Sequence, residues 1–136
     1  MKSLLMTTVA TLTIAGMTSL VPVQAEEAPG FIQETFPTQG IEAAWQSYQS
    51  VFLDPDAALD TRTKELIALA VSAQVPCDYC VYYHTKASQA HGASDDEIRE
   101  ALASAALVRK WSTMLNGSQY DQEEWRREVD AIFPEE

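Results

Sequence analysis

Basic side chains are scarce in this chain. Nine Lys and Arg stand against twenty Asp and Glu over 136 residues, for a formal charge of −11 and a pI near 4.4. Phosphate binding needs a basic face, which so few cations among so many acids cannot make, and nucleic acid is excluded as a partner. Strand patterning is lacking too, because no segment alternates apolar and polar residues. No internal repeat is visible, and a hydrophobic content of 46% excludes a disordered or fibrous chain. The length allows one domain with a modest core.

Cysteine is limited to Cys77 and Cys80, so no thiol lies near the amino terminus to carry a lipid. The first residues read as a leader. Lys2 gives a positive start, Leu4 to Leu20 is uncharged, and Val23-Gln24-Ala25 offers a small-x-small cleavage site before Glu26. Residues 1–25 are expected to be a signal peptide, which makes the protein exported, periplasmic or secreted. A retained membrane anchor is the competing reading, against which Gly16 and five threonines dilute the run.

Residues 26–39, with Pro29, Gly30 and Pro37 and no periodicity, are expected to form an extended arm, and residues 40–136 a helical domain. Ile41, Trp45, Tyr48 and Phe52 lie on one face of a first helix that Asp54-Pro55-Asp56 stops. Asp60 or Thr61 caps a second helix reaching about Val75, apolar over most of its circumference and therefore expected to be central. Pro76 fits the first turn of a third helix that carries both cysteines and ends at Gly92. Ser94 to Glu97 is a capping box, opening a helix with Ile98, Ala101, Leu102, Ala105 and Val108 inward and Asn116-Gly117 at its end. Asp121 caps a last helix with Trp125, Val129, Ile132 and Phe133 inward. The fold class is all-α, a single-domain bundle of about five to six helices.

The chemistry-bearing residues gather in one stretch. If Pro76 opens the third helix, Cys77 lies in its first turn, where free N–H groups and the helix dipole favour a thiolate. Cys80 follows at three residues and His84 at four more, so consecutive members share a helix face and His84 can take a proton from Cys80. Glu65, twelve residues before Cys77 among apolar neighbours, reaches His84 if the two helices pack antiparallel; otherwise it belongs to a solvated face beside Arg62 or Lys64. A disulfide closing so short a loop removes little entropy from the unfolded chain, which favours redox chemistry over a structural staple. No cofactor or metal is expected. His91 lies about 10 Å beyond His84 along a helix, too far to share a zinc ion with ligands at about 2.0–2.3 Å. A metal set of Cys77, Cys80, His84 and Glu65 stays open beside the thiol reading. Tyr79, Tyr82 and Tyr83 either line a substrate pocket or serve as core or interface aromatics.

Glu65, Cys77-x-x-Cys80-x-x-x-His84 and His91-Gly92-Ala93-Ser94 before an acidic capped helix together resemble the alkylhydroperoxidase D-like branch of the carboxymuconolactone decarboxylase superfamily. The resemblance spans about residues 40 to 117. It implies an all-helical fold, a homo-oligomer (trimer or hexamer), and thiol-dependent reduction of hydroperoxides or disulfides. By the same resemblance Cys80 attacks the peroxide, Cys77 resolves the sulfenic acid to a disulfide, and Glu65 and His84 relay protons. Tyr79 stands where some members carry a histidine. The implied partners are a small hydroperoxide and a thiol reductant protein of unknown identity. A protein dithiol–disulfide exchanger and a non-enzymatic oligomeric module with an inert disulfide are the competing readings.

Overall fold

The computed structural model describes residues 27–135, and the leader-like run of residues 1–25 lies outside them. Among the described residues there are six α-helices and no strand, as the periodicity implies: α1 (Gly30–Thr35), α2 (Ile41–Tyr48), α3 (Thr61–Gln74), α4 (Asp78–Ala90), α5 (Asp95–Ser118) and α6 (Gln122–Ile132). A 3₁₀ turn precedes α2, and a π turn, Gln49–Leu53, prolongs it. None of these helices is long and apolar enough to cross a membrane.

The centre is the α3/α4 hairpin. Asp60 caps α3 by accepting from the Thr63 N–H. At the hairpin's closed end the Cys77 N–H donates to the Ser72 carbonyl at 3.1 Å, and at its open end Glu65 meets His84, so the two helices run antiparallel. Helix α4 ends in a Schellman motif: Gly92 takes φ 88°, the Gly92 N–H reaches the Gln89 carbonyl, and the Ala93 N–H reaches Ser88. Glycine is required there because a Cβ disfavours that left-handed backbone. The turn drops Ala93 and Ile98 onto fully buried Leu69, with Leu66, Val81 and Leu102 around them.

Helix α5 starts at the expected capping box, with the Ser94 hydroxyl accepting from the Glu97 N–H and the Glu97 carboxylate accepting from the Ser94 N–H. It lies parallel to α3. Arg62 pairs with Glu97 at one end; at the other, Gln74 donates to the Ala105 carbonyl while Arg109 donates to the Gln74 side chain and carbonyl.

Four expectations need correction. Pro76 and Cys77 precede α4 rather than forming its first turn: extended backbone at Cys77 (φ −106°, ψ 98°) makes it the N-cap. Helix α5 continues past Asn116-Gly117 to Ser118 before Gln119 turns left-handed. Val108, Trp125, Ile132 and Phe133 are exposed within this chain. For the three residues of α6 and its C-cap the reason is geometric: α3 stops opposite Arg109, so the rest of α5 and all of α6 run past the body that would have covered them. Finally, the stretch expected to be an extended arm contains α1, whose start is fixed by the Pro29 carbonyl accepting from Ile32 and Gln33. Ile32 then packs with Ala28 on Trp45 of α2.

The caps make stability depend on pH. Hydrogen bonds from the Thr63 backbone hold the Asp60 carboxyl below its usual range, and those from Ser94 do the same for Glu97. A carboxylate with a lowered folded pKa stabilises above its unfolded value, about 4, and that contribution disappears as pH falls through the folded value. Urea midpoints measured between pH 7 and pH 3 should therefore fall less steeply in an Asp60→Asn, Glu97→Gln double variant than in the parent, and identical slopes would refute the assignment.

Candidate functional site

Helix α3 carries Glu65 on the same face as Leu69 and Ser72, the face turned into the hairpin. Its side chain is fully buried, which removes the alternative of a solvated carboxylate. Arg62 pairs with Glu97 instead, and the Lys64 Nζ has no acceptor among the described residues. Both oxygens of Glu65 are used: Oε2 lies 2.6 Å from Nδ1 of His84, and Oε1 accepts from the Tyr48 hydroxyl at 3.0 Å. The Tyr48 oxygen in turn accepts from the Tyr83 hydroxyl at 2.8 Å. Hydrogen bonds from two neighbours supply what a buried carboxylate loses in water.

This arrangement decides how His84 is presented. A carboxylate only accepts, so Nδ1 carries the hydrogen in this contact and Nε2 is the nitrogen left to exchange a proton. Helical side chains lean toward the amino terminus, so His84 leans over the turn that holds Cys80. Rings close the rest of the surroundings. Phe52 stacks on the imidazole at 5.5 Å, Tyr83 meets it edge-on at 5.2 Å, and Tyr48 stacks between Trp45 and Phe52. Phe31 of α1 touches Tyr83 at 6.0 Å, so the segment before α2 is part of the wall.

Cys77 and Cys80 form a disulfide, with Cα atoms 5.2 Å apart and both residues partly exposed. The Cys77 sulfur also accepts from the Cys80 N–H at 3.2 Å, taking the place that a Ser or Asp oxygen usually fills at an N-cap. Tyr79, between the cysteines, is 91% exposed. His91 is the C-cap of α4, at the far end of the helix from the disulfide. Among the described residues no group of three or more His, Cys, Asp or Glu side chains is arranged to hold a metal ion.

Of the four residues singled out in the sequence, Glu65 and His84 are hydrogen-bonded and Cys77 and Cys80 are covalently joined, on one helix hairpin. Tyr48 and Tyr83 were not recognised as part of the Glu65 network. Tyr48 carried a signal only as an apolar-face position of α2, and a phenol seventeen residues before a buried carboxylate has no diagnostic spacing. An open cleft of about 500 Å³ between α5 and α6, lined by Leu115, Tyr120, Trp125 and Arg126 among others, is formed by other residues entirely.

Comparison with known proteins agrees with this geometry. Residues 40–123, more than half of the chain, match the model of the carboxymuconolactone decarboxylase family. Over 54 residues the chain is 44% identical to "Uncharacterized protein 4 in cox locus" of Paracoccus denitrificans, covering 40% of this chain and 49% of that protein. It is 37% identical over 67 residues to an uncharacterized protein of Cupriavidus necator, covering 48% and 59%. The chain thus spans about half the length of the curated relatives it matches. The crystal structure of the alkylhydroperoxidase AhpD core from Rhodospirillum rubrum superposes with a TM-score of 0.58 at 31% identity, covering 62% of this chain and 61% of that one. A protein from Methanobacterium thermoautotrophicum gives 0.53 at 30% identity, covering 65% and 96%. With its helical hairpin, its paired cysteines and this match over residues 40–123, the chain belongs to the carboxymuconolactone decarboxylase family.

Proposed function

We propose that this protein is an exported thiol-dependent oxidoreductase that reduces organic hydroperoxides. The observation that carries the reading is the buried Glu65–His84 pair on the same hairpin as a disulfide between cysteines three residues apart. An inert staple has no need of a buried carboxylate fixing a histidine one turn away, since burying such a group is costly unless every oxygen is paired. In the reduced protein the Cys80 thiolate attacks the distal peroxide oxygen, giving Cys80 sulfenic acid and an alkoxide that takes the proton His84 received from the thiol. The Cys77 thiol then displaces hydroxide, protonated to water, and forms the disulfide. An external dithiol protein returns two electrons and is itself oxidised to a disulfide.

Purified mature protein supplied with a dithiol should consume an organic hydroperoxide, followed by loss of the peroxide. Cys80→Ser should abolish turnover and His84→Ala should lower it by about 10²–10⁴-fold; full activity in Cys80→Ser sinks the mechanism. The N-cap position of Cys77 favours one second reading, protein dithiol–disulfide exchange, because free N–H groups at a helix start stabilise a thiolate there. Faster reaction with a protein disulfide than with any hydroperoxide would select it.

The protein works as a homo-oligomer in this reading. Ile67, Val71 and Val75 form an uncovered row along α3 and its C-cap, and Trp111, Met114, Ile132 and Phe133 are exposed on α5 and at the end of α6. Monomers rarely leave so much apolar surface in water. Sedimentation analysis should give a trimer or hexamer that Val71→Glu dissociates, whereas a monomeric parent protein at micromolar concentration contradicts the assembly. For export, amino-terminal sequencing of the protein from producing cells should begin at Glu26; an intact Met1 on protein recovered from the cytoplasm rules that part out.

A further inference from the structure

We infer that Tyr48 is a positioning residue for the Glu65–His84 pair, holding the carboxylate oxygen that His84 does not use and, with Tyr83 behind it, fixing the carboxylate in the orientation that keeps the hydrogen on His84 Nδ1 and leaves Nε2 to exchange a proton. The inference rests on the proposed role of His84 and goes beyond it, because it moves the determinant of histidine orientation onto a different helix.

The geometry is a hydrogen-bonded chain of four side chains from three elements: Tyr83 to Tyr48 at 2.8 Å, Tyr48 to Glu65 at 3.0 Å, and Glu65 to His84 at 2.6 Å. A carboxylate held by one partner alone can rotate about its last torsion, a broad two-fold well. A donor on each oxygen removes that freedom. The phenol is itself clamped, stacked between Trp45 at 5.2 Å and Phe52 at 4.8 Å and met edge-on by Tyr83 at 5.8 Å. Phe52 is shared, since it also stacks on the His84 ring, so α2 and its π turn bear on both ends of the Glu65–His84 contact.

The protonation state supports the assignment. Burial, then the Tyr83 hydrogen bond, then the Glu65 charge push the Tyr48 phenol far above its ordinary range, so it is a donor at every working pH. Burial raises Tyr83 as well. The titratable groups that reach Glu65 are Tyr48 from α2 and His84 from α4, with Tyr83 behind Tyr48; Arg62 on α3 is engaged by Glu97 of α5. Removing the phenol leaves one carboxylate oxygen without its donor, so the carboxylate can turn and its hold on His84 Nδ1 loosens.

The test follows the two ring nitrogens of His84 by nitrogen-15 NMR in reduced protein, with His91 as internal reference, and in parallel the peroxide kinetics. Tyr48→Phe should turn the Nδ1–H tautomer pattern of neutral His84 into a mixture with the Nε2–H tautomer. It should also lower kcat for peroxide about threefold to tenfold with KM little changed. Tyr83→Phe, which leaves the Tyr48–Glu65 contact in place, should move the pattern in the same direction by less, and it decides the question if Tyr48→Phe fails to fold. An unchanged His84 tautomer pattern in a folded Tyr48→Phe protein, or in Tyr83→Phe if it alone folds, overturns the inference and leaves the phenols as packing groups. Failure of the peroxidase reading looks different: the parent protein consumes no peroxide, while the tautomer pattern still reports on Tyr48.

Discussion

A carboxylate with no exposure to water is the constraint around which this structure is arranged. Glu65 sits on the inner face of α3, and an uncompensated charge in that position would cost several kcal/mol. The remedy draws on two helices, with the His84 imidazole from α4 on one oxygen and the Tyr48 phenol from α2 on the other. Removing one partner of such a pair typically destabilises by about 3–5 kcal/mol, so stability and site geometry are tied to the same two contacts. The hairpin register, the position of the segment before α3 and the presentation of the histidine all follow from satisfying one side chain.

The remaining elements keep that arrangement in place. The Schellman turn at Gly92 brings Ala93 and Ile98 under Leu69 and locks α5 alongside α3. Gln74 and Arg109 tie the far ends of α3 and α5 together. On the other side, the Ala28–Ile32–Trp45 cluster carries Phe31, Tyr48 and Phe52 to the Glu65–His84 contact. The short segment before α2 thus acts as a wall of the site. The core within one chain is small, and the exposed row on α3 together with the uncovered ends of α5 and α6 gives the chain an apolar outer surface unusual for a monomer.

Much of this was legible in the residues. Caps at Asp60, Ser94 and Asp121 use oxygen acceptors that announce helix starts, and all three side chains accept as expected. The left-handed stop at Gly92 follows from the absence of a Cβ. Other features were hidden because they depend on what lies opposite. Val108 and Ile132 have the spacing of inward residues, but spacing states only that a face exists, and among the described residues nothing covers that face. Cys77 shifted from first turn to N-cap because the backbone stays extended for one residue after Pro76. Tyr48 and Tyr83 read as aromatic packing, since an apolar ring and a hydrogen-bonding hydroxyl carry the same signature in a periodic pattern.

By itself the sequence determined the helical class, the starts of α3, α5 and α6 and the grouping of Glu65, Cys77, Cys80 and His84 about one short connection, because caps, periodicity and i, i+3 and i, i+4 spacing are local properties of the chain. The tertiary structure alone decided that Glu65 is buried rather than solvated, that both its oxygens are occupied, and that the second donor is a tyrosine seventeen residues away on another helix. The physical reason is that burial and hydrogen-bond satisfaction are set by the partner across an interface, and no spacing along the chain encodes which phenol will stand opposite a given carboxylate.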